Sequence, residues 1–268
     1  MDTERPLTRF GSWKLRCGRP VMPTVRQMSK TVGNQQYEMR SNVFGGESLY
    51  LPPGVSLETV PTSFLELFTD RLTDHHVAIY RNPRAYFNWL ARRARIAGMK
   101  NWLLAMAATN QCGLHLHRAE FGPSVQTEVF VRGFLPHPRR FCDFRLASNK
   151  PLFDLPVALQ DIYELIDGTI EGDVFEAGGF DNLSSLRFDA SSLPIPDSHG
   201  VSDLDRALWF YTNSTGDRLL ADGEKVFWFL HENCGLVEAG NLTKVVDSYF
   251  LSLLTGAKWL FDPYCSSR

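Results

Sequence analysis

The segment between Leu208 and Gly256 restricts the fold more than any other part of the chain. Three strand-like runs, at 208–212, 218–221 and 225–230, are separated by the turn pairs Thr215-Gly216 and Asp222-Gly223. Runs of that length broken by such turns read as antiparallel hairpins, and residues 236–238 supply a candidate fourth strand. A helix follows at once. Asn241 is placed to cap it, Leu242, Val245, Val246, Tyr249, Phe250, Leu253 and Leu254 repeat at i, i+3, i+4, i+7 and i+8, and Gly256 stops it. A helix with one apolar stripe after a meander has to bury that stripe on the sheet, so the expected class is α+β: an antiparallel sheet flanked by helices.

The remaining chain is read in pieces. Residues 1–49 mix Arg5, Arg9, Lys14, Arg16 and Arg19 with Gly, Pro, Ser, Gln and Asn and show no sustained periodicity, so they are expected to form a loosely attached basic arm. A helix is expected over 62–72, with Ser63 and Glu66 as a capping box, then a short strand over 77–80. Asn82-Pro83 opens a second helix, with Tyr86, Phe87, Leu90, Ala94 and Ala97 inward, Arg92, Arg93 and Arg95 outward, and Gly98 as its stop. Residues 102–108 fit strand or helix equally. Residues 114–118 and 126–132 alternate as strands, and 132–144 reads as a basic, Pro-containing seam between two lobes. Leu155-Pro156 opens a helix reaching Asp167-Gly168; a strand over 173–177, a turn capped by Asp181 and a polar loop over 189–205 follow. The expected organisation is a flexible arm (1–49), an N-terminal α+β region (50–144) and a C-terminal domain (145–268).

Composition narrows the setting. At 268 residues and 44% hydrophobic, the chain can build one large core or two small ones. No apolar stretch approaches the roughly 18 residues that span a bilayer, and the basic N-terminus lacks the apolar region of a secretory signal. Cys17, Cys112, Cys142, Cys234 and Cys265 are scattered and odd in number, the pattern of free thiols in a reducing compartment. A cytoplasmic protein with no membrane association is expected. The net charge of −2 conceals a division: residues 1–150 carry 21 Lys/Arg against 11 Asp/Glu, and residues 151–268 carry 7 against 19.

Few residue patterns point to chemistry. His115-x-His117 places two imidazoles on one side of a strand, with Cys112 nearby, and zinc or another metal would need further ligands from elsewhere. His231-Glu232, followed by Cys234, offers a base beside a carboxylate and a thiol. A metal-dependent enzyme built on His115, His117 and His231 is therefore one alternative. Gly45-Gly46 and Gly178-Gly179 fit neither a Walker loop nor a dinucleotide fingerprint and read as turns. The Arg92, Arg93, Arg95, Arg139 and Arg140 group, weighed against the acidic C-terminal part, reads as a solvated or docking surface, and no direct nucleic-acid binding is expected. No recognisable catalytic constellation emerges, and the expectation is a non-enzymatic protein that uses no cofactor and works by binding another macromolecule.

From Leu155 onward the order of features resembles the SUKH superfamily, small α+β domains that include bacterial immunity proteins and eukaryotic cell-wall-assembly regulators. The residues that carry the resemblance are Leu155-Pro156 leading to Ile162-Tyr163-Glu164-Leu165-Ile166-Asp167-Gly168, a short segment at 183–188, Gly216-Asp217-Arg218-Leu219-Leu220-Ala221-Asp222, Val226-Phe227-Trp228-Phe229-Leu230 ending in His231-Glu232, and a closing helix at 242–254. The polar loop at 189–205 and the whole N-terminal region depart from that pattern. The resemblance implies an immunity-type protein that neutralises a cognate toxin by occluding its active site. A regulatory scaffold or viral host-interaction protein on the same fold is the other alternative. A nuclease toxin would be basic, and the expected contacts are Asp173, Glu176, Asp181, Asp197, Asp203, Asp205, Asp217 and Asp222, on strands and loops around the C-terminal sheet.

Overall fold

The computed structural model describes residues 26–32, 35–41, 47–60, 62–66, 71–121, 124–136, 141–147, 155–171, 178–186, 201, 206–213, 215–232, 234–257 and 259. Among these, seven strands form a first sheet: β1 (Arg26–Val32), β2 (Gln35–Ser41), β3 (Glu47–Leu51), β4 (Cys112–Phe121), β5 (Ser124–Phe134), β6 (Phe141–Leu146) and β7 (Ile166–Glu171), paired in that order. Every pairing is antiparallel. Helices α1 (Thr62–Leu65), α2 (Asp74–Arg81), α3 (Pro83–Arg93) and α4 (Ala97–Thr109) lie between β3 and β4, and α5 (Val157–Tyr163) lies between β6 and β7. A second sheet, in the order β12-β11-β10-β9-β8, contains β8 (Gly179–Phe180), β9 (Leu208–Thr212), β10 (Arg218–Asp222), β11 (Lys225–Leu230) and β12 (Gly235–Asn241), and α6 (Leu242–Thr255) closes the described chain. The fold is α+β, as the sequence implies.

The C-terminal meander and its helix form where the pattern places them. Asn241 Oδ1 accepts the Lys244 N–H at 3.4 Å, and Gly256, at φ 74°, ends α6 in the left-handed conformation that favours glycine. Asn82 likewise caps α3, accepting the Ala85 N–H at 3.3 Å, with Pro83 in the first turn.

Several expectations are corrected. Residues 26–32, 35–41 and 47–51 are strands of the first sheet, so the arm expected over 1–49 holds a three-stranded antiparallel unit; residues 1–25 lie outside the described residues. The strand expected at 77–80 is part of α2. The imidazole of His76 turns back to Thr73, its Nδ1 2.8 Å from Thr73 Oγ1 and accepting the Thr73 N–H at 3.3 Å, which supplies a helix start that no Glu or Gln signalled. Burial, and next the neighbouring His75, lower the His76 pKa to about 4, which keeps that nitrogen free to accept. Of the helix expected over 62–72, Thr62–Leu65 is helical with Ser63 inside it, and residues 67–70 lie outside the described residues. The second helix stops at Arg93 instead of Gly98, because Ala94 turns extended, and a new helix starts at Ala97. Residues 102–108 are helical. The seam expected over 132–144 is the β5–β6 pairing itself, with Arg132 opposite Asp143. Ile166, Asp167 and Gly168 are strand, and α5 ends at Tyr163.

The boundary expected at 144/145 is not a boundary of the packing. β7 pairs with β6 across it, and one cluster of buried side chains runs from Leu49 to Trp259 through both sheets. Helix α6 is the joint. The Trp102 ring on α4 lies 5.9 Å from Phe144 of the first sheet and 5.0 Å from Phe250 of α6. On its other side α6 sets Tyr249 4.7 Å from Phe180 and 5.4 Å from Trp259. The two helices touch at Gly98, where an added Cβ would stand 2.3 Å from the Asp247 carbonyl oxygen. The Asp247 carboxylate accepts the Gly98 N–H at 2.6 Å, so α6 supplies the N-terminal acceptor that α4 lacks from its own Ile96.

Candidate functional site

The two sheets meet edge to edge at β7 and β8, and two glycines make that approach possible. Gly179, at φ 151°, brings its Cα so near β7 that a Cβ would lie 2.0 Å from the Thr169 carbonyl oxygen, and Gly168, at φ 84°, leaves no room for one beside the Phe180 carbonyl. The contact is then pinned. Thr169 Oγ1 accepts the Phe180 N–H at 3.0 Å and pairs with the Tyr249 hydroxyl at 2.8 Å. The buried Tyr163 hydroxyl donates to the Asp181 carbonyl at 2.6 Å, the Asp181 N–H donates to the Phe210 carbonyl at 2.9 Å, and Asp167 accepts the Leu183 N–H at 2.5 Å. With its N–H and its carbonyl both held, Asp181 lines a cleft of about 180 Å³ together with Arg145, Gly178, Gly179, Asn182 and Thr212.

The electrostatics of the cleft are unbalanced. Asp181 receives one long side-chain hydrogen bond, from Thr212 Oγ1 at 3.4 Å, beyond the usual range for a hydroxyl donor. Burial pushes its pKa above the ordinary carboxylate value, with the charge of Arg218 acting against it. Arg145 on the rim already has a partner: its Nε and Nη2 donate to Glu128 Oε1 at 3.1 and 2.8 Å, and its guanidinium lies 4.5 Å over the Phe130 ring. Arg218 lies 4.3 Å over Trp209. Asp181 is thus a half-buried acid that Arg218 and Arg145 reach by charge, while Arg145 hydrogen-bonds to Glu128 and Arg218 lies over Trp209.

The other expected contact residues are placed differently. Asp217 is 0% exposed, so its carboxylate offers no face to a partner. Its Oδ1 accepts from the His231 N–H at 3.0 Å and from His231 Nδ1 at 2.8 Å, and its Oδ2 accepts from Thr215 at 3.0 Å and Asn213 at 3.1 Å. It is the internal tie that fixes the β9–β10 turn to the end of β11. Asp222 is half-buried at the β10–β11 turn, opposite Lys225. Asp173, Glu176, Asp197, Asp203 and Asp205 lie outside the described residues.

The histidine candidates separate. His115 and His117 share a face of β4, but alternation puts Cys112 on the opposite, helix-covered face with Leu114 and Leu116. His115 Nδ1 is 3.0 Å from Asp143 Oδ2, and Arg132 grips both oxygens of Asp143 at 2.7 Å. Burial pushes the Asp143 carboxyl up, yet the hydrogen bonds from Arg132 and His115 prevail and hold it below its ordinary value. Arg132 also lies 4.5 Å over Tyr50 and 3.8 Å over Phe141. This triad binds β4, β5 and β6 together from the face away from the helices. His231 commits Nδ1 to Asp217, while Cys234 Sγ rests 3.9 Å from the His231 carbonyl oxygen. No group of three or more potential metal ligands forms among the described residues. Of the basic group, Arg92 and Arg93 are exposed and Arg95 pairs with Asp161 at 2.7 Å, whereas Arg139 and Arg140 lie outside the described residues.

Thr169, Arg145 and Thr212 complete the cleft, and no local sequence signal marks them, because each comes from a different strand. No helix of the described structure is long and apolar enough to cross a membrane. Comparisons with family models, with curated proteins and with solved structures find no match to this chain.

Proposed function

We propose that the chain is an immunity-type protein that binds a cognate basic toxin, a nuclease being the class that fits, and neutralises it by covering its active site. The observation that carries this reading is the division of charge, 7 Lys/Arg against 19 Asp/Glu over residues 151–268. The strands of the second sheet display part of that charge at their ends and outer edge: Glu224 and Glu232 are exposed in its turns and Glu238 is exposed on β12. An acidic surface of this kind draws a basic protein in and raises its association rate. Nucleases are basic because their substrate is a polyanion, so an acidic protein meets them in the substrate's place. The SUKH-like order of residues turns that general attraction into a particular class of partner. The residues that carry the resemblance lie in α5, β7, the second sheet, its connecting segments and α6.

The test is a tagged pull-down from the native cell, eluted through a salt series, with mass spectrometry and an activity assay of whatever co-purifies. The expected result is one dominant basic protein near equal stoichiometry, released as salt rises and inactive while bound. Many weakly held partners, or a dominant partner that is acidic or fully active in the complex, overturn the reading.

A further inference from the structure

We propose that the cleft between β7 and β8 is the pocket that receives a cationic side chain of the partner, with Asp181 as its counter-charge. This rests on the reading of the chain as a binder of a basic protein, and it names where one contact is made. The geometry points there for three reasons. Asp181 lines a cleft of about 180 Å³, room for a single extended side chain, and its backbone is pinned by Tyr163 and Phe210. Its single side-chain donor among the described residues is Thr212, at 3.4 Å, so it keeps acceptor capacity that none of the described residues uses. The two arginines nearest in charge are engaged elsewhere, Arg145 with Glu128 and Arg218 on Trp209.

A carboxylate partly withdrawn from water and hydrogen-bonded to no cation among the described residues is costly. A guanidinium or ammonium that enters offsets that cost with a charged hydrogen bond. Exposed acids such as Glu224 and Glu238 attract a partner from a distance but hold no single group in place. Asp181 is positioned to do the second task, anchoring one basic side chain at the bottom of a pocket, as the strong contacts of protein interfaces do.

The decisive experiment uses the isotope-labelled full chain and amide NMR, with Nα-acetyl-L-argininamide as the probe and Nα-acetyl-L-citrullinamide as its neutral isostere. Argininamide is expected to shift the amides of Gly178, Gly179, Asn182 and Thr212 to saturation, and citrullinamide to bind about tenfold more weakly or not at all, the factor for losing about 1.4 kcal/mol. D181N is expected to lose the argininamide response by a similar factor. If D181N fails to fold, the comparison of the two amides on the native chain still decides. Equal binding of the two amides, or unsaturable shifts spread over Glu224, Glu232 and Glu238, overturns the proposal. Failure of the broader reading looks different: argininamide bound in the cleft with no basic protein captured removes the toxin and leaves the pocket. Capture of a basic partner equally well by native and D181N chains removes the pocket and leaves the toxin.

Discussion

Asp143 and Asp181 are both carboxylates withdrawn from water, and their neighbours drive them in opposite directions. Asp143 has a bidentate Arg132 and His115 at 3.0 Å, so its pKa lies below the ordinary value despite burial. A lowered native pKa means that the group stabilises the fold above the unfolded carboxylate range and that this contribution is lost on acidification through it. R132M leaves Asp143 charged, 0% exposed and without its guanidinium, and the expected loss is about 3–5 kcal/mol, read as a lower urea midpoint at neutral pH. Unchanged stability would show that the triad holds nothing together. For Asp181 the native pKa is raised by burial, with Arg218 opposing. The native state then takes up the proton more readily than the unfolded state, so the ionised group is a liability above the carboxylate range. D181N should raise the thermal midpoint at pH 7, with the gain shrinking as the pH falls towards 4. A lower midpoint at pH 7 would mean that the carboxylate supports the fold.

At the scale of elements, the crossing of α4 and α6 makes a glycine in a helix indispensable. Ala in place of a helical Gly ordinarily adds up to about 1 kcal/mol. At Gly98 the new Cβ would meet the backbone oxygen of Asp247 at 2.3 Å, which can move only if α6 moves. At Gly133 the obstacle is nearer, 1.9 Å, but it is the Met106 sulfur, on a flexible side chain. G98A is therefore expected to lose about 1–3 kcal/mol and G133A distinctly less, compared by denaturant midpoints; the reverse order would place the rigid contact under β5. Asp247 and Gly98 also mark where the sequence stops being legible. The stripe of α6 and the capping Asn82 and Asn241 can be read because the signal is local and periodic. β1 and β2, with sequences RQMSKTV and QQYEMRS, carry only two apolar positions each, and their place in the sheet comes from the pairing of β1 with β2 and of β2 with β3. Residues 77–80 look extended until His76 is seen to cap its own helix. The Asp181 cleft is hidden for the same reason. Asp181 is readable as an acid near a turn, but Thr169, Arg145 and Thr212 reach it only through strand pairing across two sheets.

The whole molecule carries opposite charge in its two halves and is built from two sheets, yet its larger buried cluster joins them, beside a smaller one around Trp209, Phe227 and Phe229. Buried side chains from Leu49 on β3 to Trp259 beyond α6 belong to one cluster, and β7, from the acidic half, completes the sheet of the basic half through its pairing with β6. Division after residue 144 would strip the partner strand from β7, expose Phe250 where Trp102 covers it at 5.0 Å, and leave the Asp247 carboxylate without the Gly98 amide. Burial of aromatic surface is among the larger favourable terms in folding, and neither half can replace what the other covers. The expected result is a single cooperative thermal transition for the full chain, with calorimetric and van't Hoff enthalpies in agreement. A fragment of residues 145–268 is expected to bind a hydrophobic dye and to lack a sharp transition of its own. Two resolved transitions, or a fragment that folds with native-like dispersion of its amide spectrum, would show that the C-terminal half is a domain that merely docks. The binding surface would then have to be sought on that half alone. With one transition, a change under α4 such as G98A reaches the acidic sheet through α6, and partner affinity should fall along with stability.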